Sequence, residues 1–201
     1  MSDITIKCLS GRAIEPYLSD LARLRIEVFR DFPYLYDGTQ EYEEKYLRTY
    51  VNSPDSVVVL AYDGDTAVGA STGLPMADET EEFQQPFVDA GYDPQRIFYC
   101  AESVLLKSHR GKGIYKHFFD GREGHARKLG RFDWCTFCCV QRPENHPLRP
   151  ADYAPLDPIW SKFGYVKHPE LVTHYTWKDV GETEETAKPM VFWLKPLKES
   201  T

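Results

Sequence analysis

The chain has 201 residues, of which 42% are hydrophobic, 27% charged and 14% aromatic. This suits one globular domain with a sizeable core and excludes wholesale disorder. With 24 Lys and Arg against 31 Asp and Glu, the net charge is −7 and no basic cluster offsets it, so nucleic acid is not an expected partner.

No apolar run approaches the ~20 residues that span a bilayer, so no membrane partner is expected. Met1-Ser2-Asp3 does not open a secretory signal, and the five cysteines read as reduced thiols, which together predict a cytoplasmic protein. Over Ile4–Leu9, the residues Ile4, Ile6 and Cys8 alternate with polar ones, as in a half-buried strand. Ile14, Leu18, Leu21, Val28 and Phe29, with the stem of Arg25, share a helical face that ends at Phe32-Pro33. Thr39 caps a second helix carrying Tyr42, Tyr46, Leu47, Tyr50 and Val51, and Ser53-Pro54-Asp55 stops it. Two β-rich runs, 56–62 and 67–74, flank the hairpin signal Asp63-Gly64-Asp65.

Residues 78–91 are acidic and interrupted by Pro86, which predicts a short exposed helical insertion. Residues 96–106 read as one strand. Residues 114–130 read as a helix in which Gly121 and Gly124 each cost about 1 kcal/mol relative to Ala. The near-continuous apolar run 132–140 predicts a central strand. Residues 142–158 hold five prolines and read as loop, and a short helix over 158–163 is closed by Gly164. Residues 171–178 and 190–195 are the closing strands. This order predicts a single mixed α/β domain over 1–201: an antiparallel front, then a strand–helix–strand crossover that is locally parallel.

The chemistry-bearing stretch is Val104-Leu105-Leu106-Lys107-Ser108-His109-Arg110-Gly111-Lys112-Gly113-Ile114-Tyr115. A strand runs through a two-glycine turn directly into a helix. Inward-pointing turn amides and the positive end of the helix dipole make an anion site suited to phosphate. The spacing matches neither the mononucleotide P-loop nor the dinucleotide fingerprint. An ordinary glycine turn is the alternative.

In that context Arg110-Gly111-Lys112-Gly113-Ile114-Tyr115 resembles motif A, Arg-x-x-Gly-x-(Gly/Ala), of the GNAT superfamily of acyl-CoA N-acyltransferases. Ile159-Trp160-Ser161-Lys162-Phe163-Gly164-Tyr165 resembles its motif B, Phe-Tyr-x-Lys-x-Gly-Phe, and the element order over residues 4–197 matches. The resemblance implies a mixed, mostly antiparallel sheet splayed between its fourth and fifth strands and flanked by helices. It implies acetyl-CoA as co-substrate and no metal. The pantetheine arm would pair with Ser103, Val104 and Leu105, and the pyrophosphate would sit on the amides of Arg110, Gly111, Lys112, Gly113, Ile114 and Tyr115. The implied enzyme is an N-acetyltransferase that moves the acyl group directly from the thioester to the primary amine of a small-molecule or peptide acceptor. Three positions depart from the pattern: Tyr115 stands where Gly or Ala is usual, Trp160 replaces the tyrosine that protonates the leaving thiolate, and Tyr153 replaces a frequent asparagine. The Trp160 replacement motivates an alternative, an acyl-CoA-binding regulatory module without catalysis.

Glu102, on the predicted strand two residues before Val104, is the candidate base, because a carboxylate in an apolar strand is either partnered or functional. Its alternative is a salt-bridged strand-end residue. Cys135 and Cys138 lie three apart on a strand and so face opposite sides, which favours structural thiols over a metal site. Residues 32–37 form an aromatic loop that either lines an acceptor cleft or plugs the core. The C-terminal strands are the expected surface for a homodimer.

Overall fold

The computed structural model describes residues 4–197; the remaining ends of the expected 1–201 domain lie outside the described residues. Strands β1 (Ile4–Leu9), β2 (Val57–Asp63), β3 (Thr66–Pro75), β4 (Ile97–Tyr99), β5 (Ser103–Leu105), β6 (Trp134–Val140), β7 (Val166–Lys178) and β8 (Glu185–Pro196) build one sheet. Its order is β1-β2-β3-β4-β6-β8-β7, with β5 paired to β3. All pairs are antiparallel except β4 with β6, the parallel crossover the sequence order predicts.

Helices α1 (Leu18–Phe29), α2 (Gln40–Asn52) and α3 (Glu81–Asp89) cover one face, burying Leu21, Leu24, Leu47, Tyr50, Phe83 and Phe87. Helices α4 (Ile114–Leu129) and α5 (Asp157–Lys162) cover the other, where Ile114, Phe118, Phe119 and Ala126 meet the sheet. Among the described residues no helix is long and apolar enough to cross a membrane.

Three elements differ from expectation. The first helix starts late: residues Gly11–Tyr17 form 3-10 turns, since Gly11 has φ +52° and Pro16 cannot donate to an α-helical ladder. Helix α3 is not an exposed insertion, because Phe83 and Phe87 pack onto Tyr99, Tyr175 and Phe192. The strand expected over 96–106 is two pieces, β4 and β5. Leu74 lies opposite Tyr99, yet Ser71 lies opposite Ser103, so three steps on β3 face four on its partner. The extra residue is a bulge over 100–102, invisible to hydrophobic patterning.

Helix α4 carries a contrast between two glycines. A Cβ on Gly121 would meet Val59 Cγ2 at 2.6 Å, whereas one on Gly124 would meet nothing within 4 Å. Gly121→Ala should therefore destabilise the fold by about 1–3 kcal/mol through overpacking against a stiff, buried valine. Gly124→Ala should stabilise it by about 1 kcal/mol. Urea denaturation of both variants measures this, and equal shifts of the same sign would show that α4 does not rest on β2 through Gly121.

Candidate active site

The turn after β5 is held from behind by side chains. His109 Nε2 lies 3.0 Å from Asp63 Oδ2 on β2, and Arg110 Nε donates to Leu105 O at 3.4 Å. Arg110 therefore staples the loop by its side chain, and Lys112 is exposed. Gly111 and Gly113 adopt φ +76° and +79°, and nothing lies within 4 Å of where their Cβ atoms would be. Among the described residues, the N–H groups from Gly111 through Tyr115 reach no protein acceptor, while Lys116 N already donates to Gly113 O. These amides crown the N-terminus of a helix of 16 residues, where backbone partial charge favours an anion. A phosphate group fits this cradle.

Beside it the sheet parts. The last bond between the two strands is Cys100 N to Thr136 O at 2.7 Å, after which β5 stays on β3 and leaves β6. Thr72 N donates to Glu102 O, and Leu106 N to Val68 O, so the alternate residues Ser103 and Leu105 turn their backbone groups into the gap. Val104 turns its backbone toward β3, and its side chain is buried on the α1–α2 face. A gap with free strand edges suits a thin, amide-bearing arm. On the α4–α5 side, Trp160 Nε1 donates to Tyr115 Oη at 3.0 Å, placing the two departures from the motifs in contact. The Tyr115 ring lies edge-on to Phe119, and burial raises its phenol above the ordinary range. Tyr165 is buried beneath Phe119 and Phe137, whereas Tyr153 stands on the proline-rich loop against Phe32.

On the other face Glu102 meets a partner from α1. Its Oε1 lies 2.7 Å from Arg25 Nη1, and Tyr50 Oη donates to Oε2 at 3.2 Å. Arg25 also binds Glu43, a fully buried residue of α2, and stacks on the Tyr46 ring at 4.6 Å. Burial works against the guanidinium, but Glu102 and Glu43 outweigh it and hold it charged. Sequence reading used only the stem of Arg25 and missed its charge. It also missed Glu79, which follows β3 and is half-buried near the same cluster. Burial pushes the Glu79 carboxyl up to about 7, with Glu102 and Asp78 adding to the rise against Thr80 N–H and Arg25.

The aromatic loop is latched rather than loose. Arg142 donates to Pro33 O and Tyr34 O and binds both oxygens of Asp179, which Lys188 also contacts at 3.2 Å. Leu35 is buried, and Tyr34 packs on Phe29 and Trp177 with its phenol within electrostatic reach of Tyr115, Glu102 and Cys138. The loop thus both plugs the core and borders the gap. Cys138 lies in the α1–α3 core and Cys135 in the α4–α5 core, so the pair straddles the sheet. Among the described residues no group of three or more His, Cys, Asp or Glu side chains could hold a metal.

No protein-family model and no curated protein sequence matches the chain. Solved structures do. The acetyltransferase of the GNAT family from Streptococcus pneumoniae superposes with TM-score 0.60 at 12% identity, over 98% of this chain and 100% of that one. Salmonella typhimurium yncA, solved with its cofactor acetyl-CoA, gives 0.59 at 8% over 98% and 96%. Arabidopsis thaliana NAA60, in complex with a bisubstrate analogue, gives 0.61 at 13% over 96% and 100%. The chain has the GNAT acyl-CoA N-acyltransferase fold.

Arg25 neutralises two buried carboxylates at once. Arg25→Met should cost about 3–5 kcal/mol near neutral pH, since it strands both charges. Unpaired, the buried carboxyls would titrate above their unfolded values, so the loss should shrink as pH falls and they take up protons. Urea denaturation at pH 5 and pH 7.5 tests this; a loss under ~1 kcal/mol at both would remove Arg25 from its structural role.

Proposed function

We propose that the protein transfers an acetyl group from acetyl-CoA to the primary amine of a small molecule or peptide. The observation that carries this reading is the run of unengaged amides from Gly111 through Tyr115 beside strands that part at Cys100. In this reading Arg110, Gly111, Lys112, Gly113, Ile114 and Tyr115 hold the pyrophosphate by their backbone. Ser103, Val104 and Leu105 supply the edge that pairs with the pantetheine, and acetyl-CoA supplies the activated thioester. An amide of that edge stabilises charge developing on the thioester oxygen, where preorganised N–H groups in a dry site are most effective. Glu102 is the proposed catalytic carboxylate, facing the gap from the α1–α2 side within its ion pair to Arg25. The five free thiols support a cytoplasmic setting, and the outer strand β7 is the edge on which a homodimer would form.

A second reading, an acyl-CoA-binding module without chemistry, is favoured by the Tyr115–Trp160 bond beside the gap. The two readings separate in one experiment, a panel of amines assayed for thiol release from acetyl-CoA alongside calorimetry of acetyl-CoA binding. Transfer requires both signals, and the module gives binding alone. Gly113→Trp places a large side chain at φ +79° in the open cradle and should abolish acetyl-CoA binding. Unchanged affinity in a variant with an unchanged melting curve would defeat the phosphate assignment.

A further inference from the structure

The α1–α2 side of the gap holds more negative charge than it balances. Glu43 and Glu102 are both buried, and Arg25 is their common guanidinium partner. Among the described residues no second cation lies within ion-pair distance of either carboxylate. No N–H or O–H is aligned on Glu102 Oε1 as a hydrogen bond, although that side chain is only 5% exposed. Buried charge of one sign needs a partner, and here the missing partner is a cation with N–H donors.

Glu79 stands at the same place with spare capacity. Its one hydrogen bond is Thr80 N to Oε2 at 3.2 Å. From α1 it faces Arg25, and from α2 Tyr46 and Tyr50. From the sheet it faces Tyr99, Glu102, Cys138 and Tyr175, and Asp78 adjoins it in the chain. Phe83 packs against Tyr99 at 5.4 Å and Tyr175 at 5.7 Å, so an apolar ring surface adjoins the carboxylates. Carboxylates beside ring faces suit an ammonium group on an apolar body.

We propose that the acceptor is an alkylamine entering as its cation, held by Glu102 over the rings of Phe83, Tyr99 and Tyr175, and that Glu79 is the base that takes its proton. This rests on the acyl-transfer reading. An alkylammonium has a pKa of ~10.4 and arrives protonated, so the first step is loss of one proton to Glu79. The freed nitrogen lone pair then attacks the thioester carbonyl. The C–N bond forms, the C–S bond breaks with its electrons on sulfur, and the nitrogen's second proton neutralises the thiolate. Glu79 returns its proton to solvent, with which it is in contact as a half-buried residue.

The test uses the full chain and hexylamine, with 1-hexanol and hexanoate as controls. Calorimetry should show hexylamine binding at least tenfold tighter than either control, and Glu79→Gln should weaken it. With acetyl-CoA, kcat/KM for hexylamine should rise with pH and level off above an inflection near the Glu79 value of about 7. In Glu79→Gln it should fall by about 10²-fold and keep climbing toward the amine's own pKa of ~10.4. Glu79→Asp should restore the inflection. Because the folded-state value is raised, Glu79 favours folding below its unfolded value and loses that contribution as pH rises through about 7. Glu79→Gln should therefore raise the melting temperature at pH 8 and leave it unchanged at pH 4, which separates loss of the base from loss of the fold. A Gln variant with the wild-type profile shape overturns the base, and hexanoate binding as well as hexylamine overturns the cation site. Glu79-dependent hexylamine binding with no thiol release from any amine sinks the acyl-transfer reading and the base together, while the cation site stands.

Discussion

Between Tyr99 and Ser103 the chain spends one residue more than β3 does across the same span, and the openness of the sheet follows from it. A strand in the middle of a sheet normally bonds on both edges. Here the extra residue sets β5 at an angle that keeps its ladder to β3 and abandons β6. Two donors converge on the carbonyl of Glu102 to fix the bend: Thr72 N at 3.1 Å and the buried Arg122 guanidinium at 3.0 Å. An unpaired strand edge facing water invites pairing with another chain. This one is walled by Tyr115 and Trp160 on one face and bordered by Tyr34 on the other, so its free groups serve a ligand thin enough to enter between them.

The same bend turns the Glu102 side chain toward α1 and α2, where the charge pattern becomes the next constraint. A buried Arg–carboxylate set is poor evidence of stabilisation, since apolar residues of equal volume commonly serve a fold as well. What such a set does supply is fixed charge at a fixed place. Arg25 joins α1 to α2 through Glu43 and to the bulge through Glu102, so the two helices and the point of splaying move as one piece. A second charged latch, Arg142 with Asp179 and Lys188, does the same for the aromatic loop by holding the carbonyls of Pro33 and Tyr34. Both sides of the gap are thus preorganised by ionic contacts from elements distant in sequence.

That distance explains what the sequence shows and what it hides. The cradle is legible because its parts are contiguous: Gly111 and Gly113 directly precede α4, and both adopt the left-handed backbone that glycine tolerates. Helix ends are legible for the same local reason, as with Thr39 accepting from Tyr42 N and Pro54 stopping α2. The bulge is not legible, because residues 96–106 form one apolar run and pattern alone cannot count the opposing strand. Arg25 reads as the stem of an amphipathic helix until Glu43 and Glu102 are brought to it. Glu79 sits in an acidic stretch that reads as surface, and only the packing of α3 through Phe83 and Phe87 encloses it. Local signals find turns and caps; partners gathered by tertiary contact need coordinates.

The two faces of the sheet carry different chemistry, and the gap is where they meet. The α4–α5 face offers amides, aromatic rings and a helix dipole, all suited to an anionic donor with a slender tail. The α1–α3 face offers Glu79, Glu102 and Glu43 around a single guanidinium, which repels an anion and attracts a cation. Placing an anion-binding and a cation-binding surface on opposite sides of one opening orders the reactants without moving parts. Each reactant is excluded from the other's side by charge, and the parted strands admit contact only where the thioester carbonyl would lie against the strand edge. The direction of approach is therefore set by electrostatics that a single added residue between Tyr99 and Ser103 exposes.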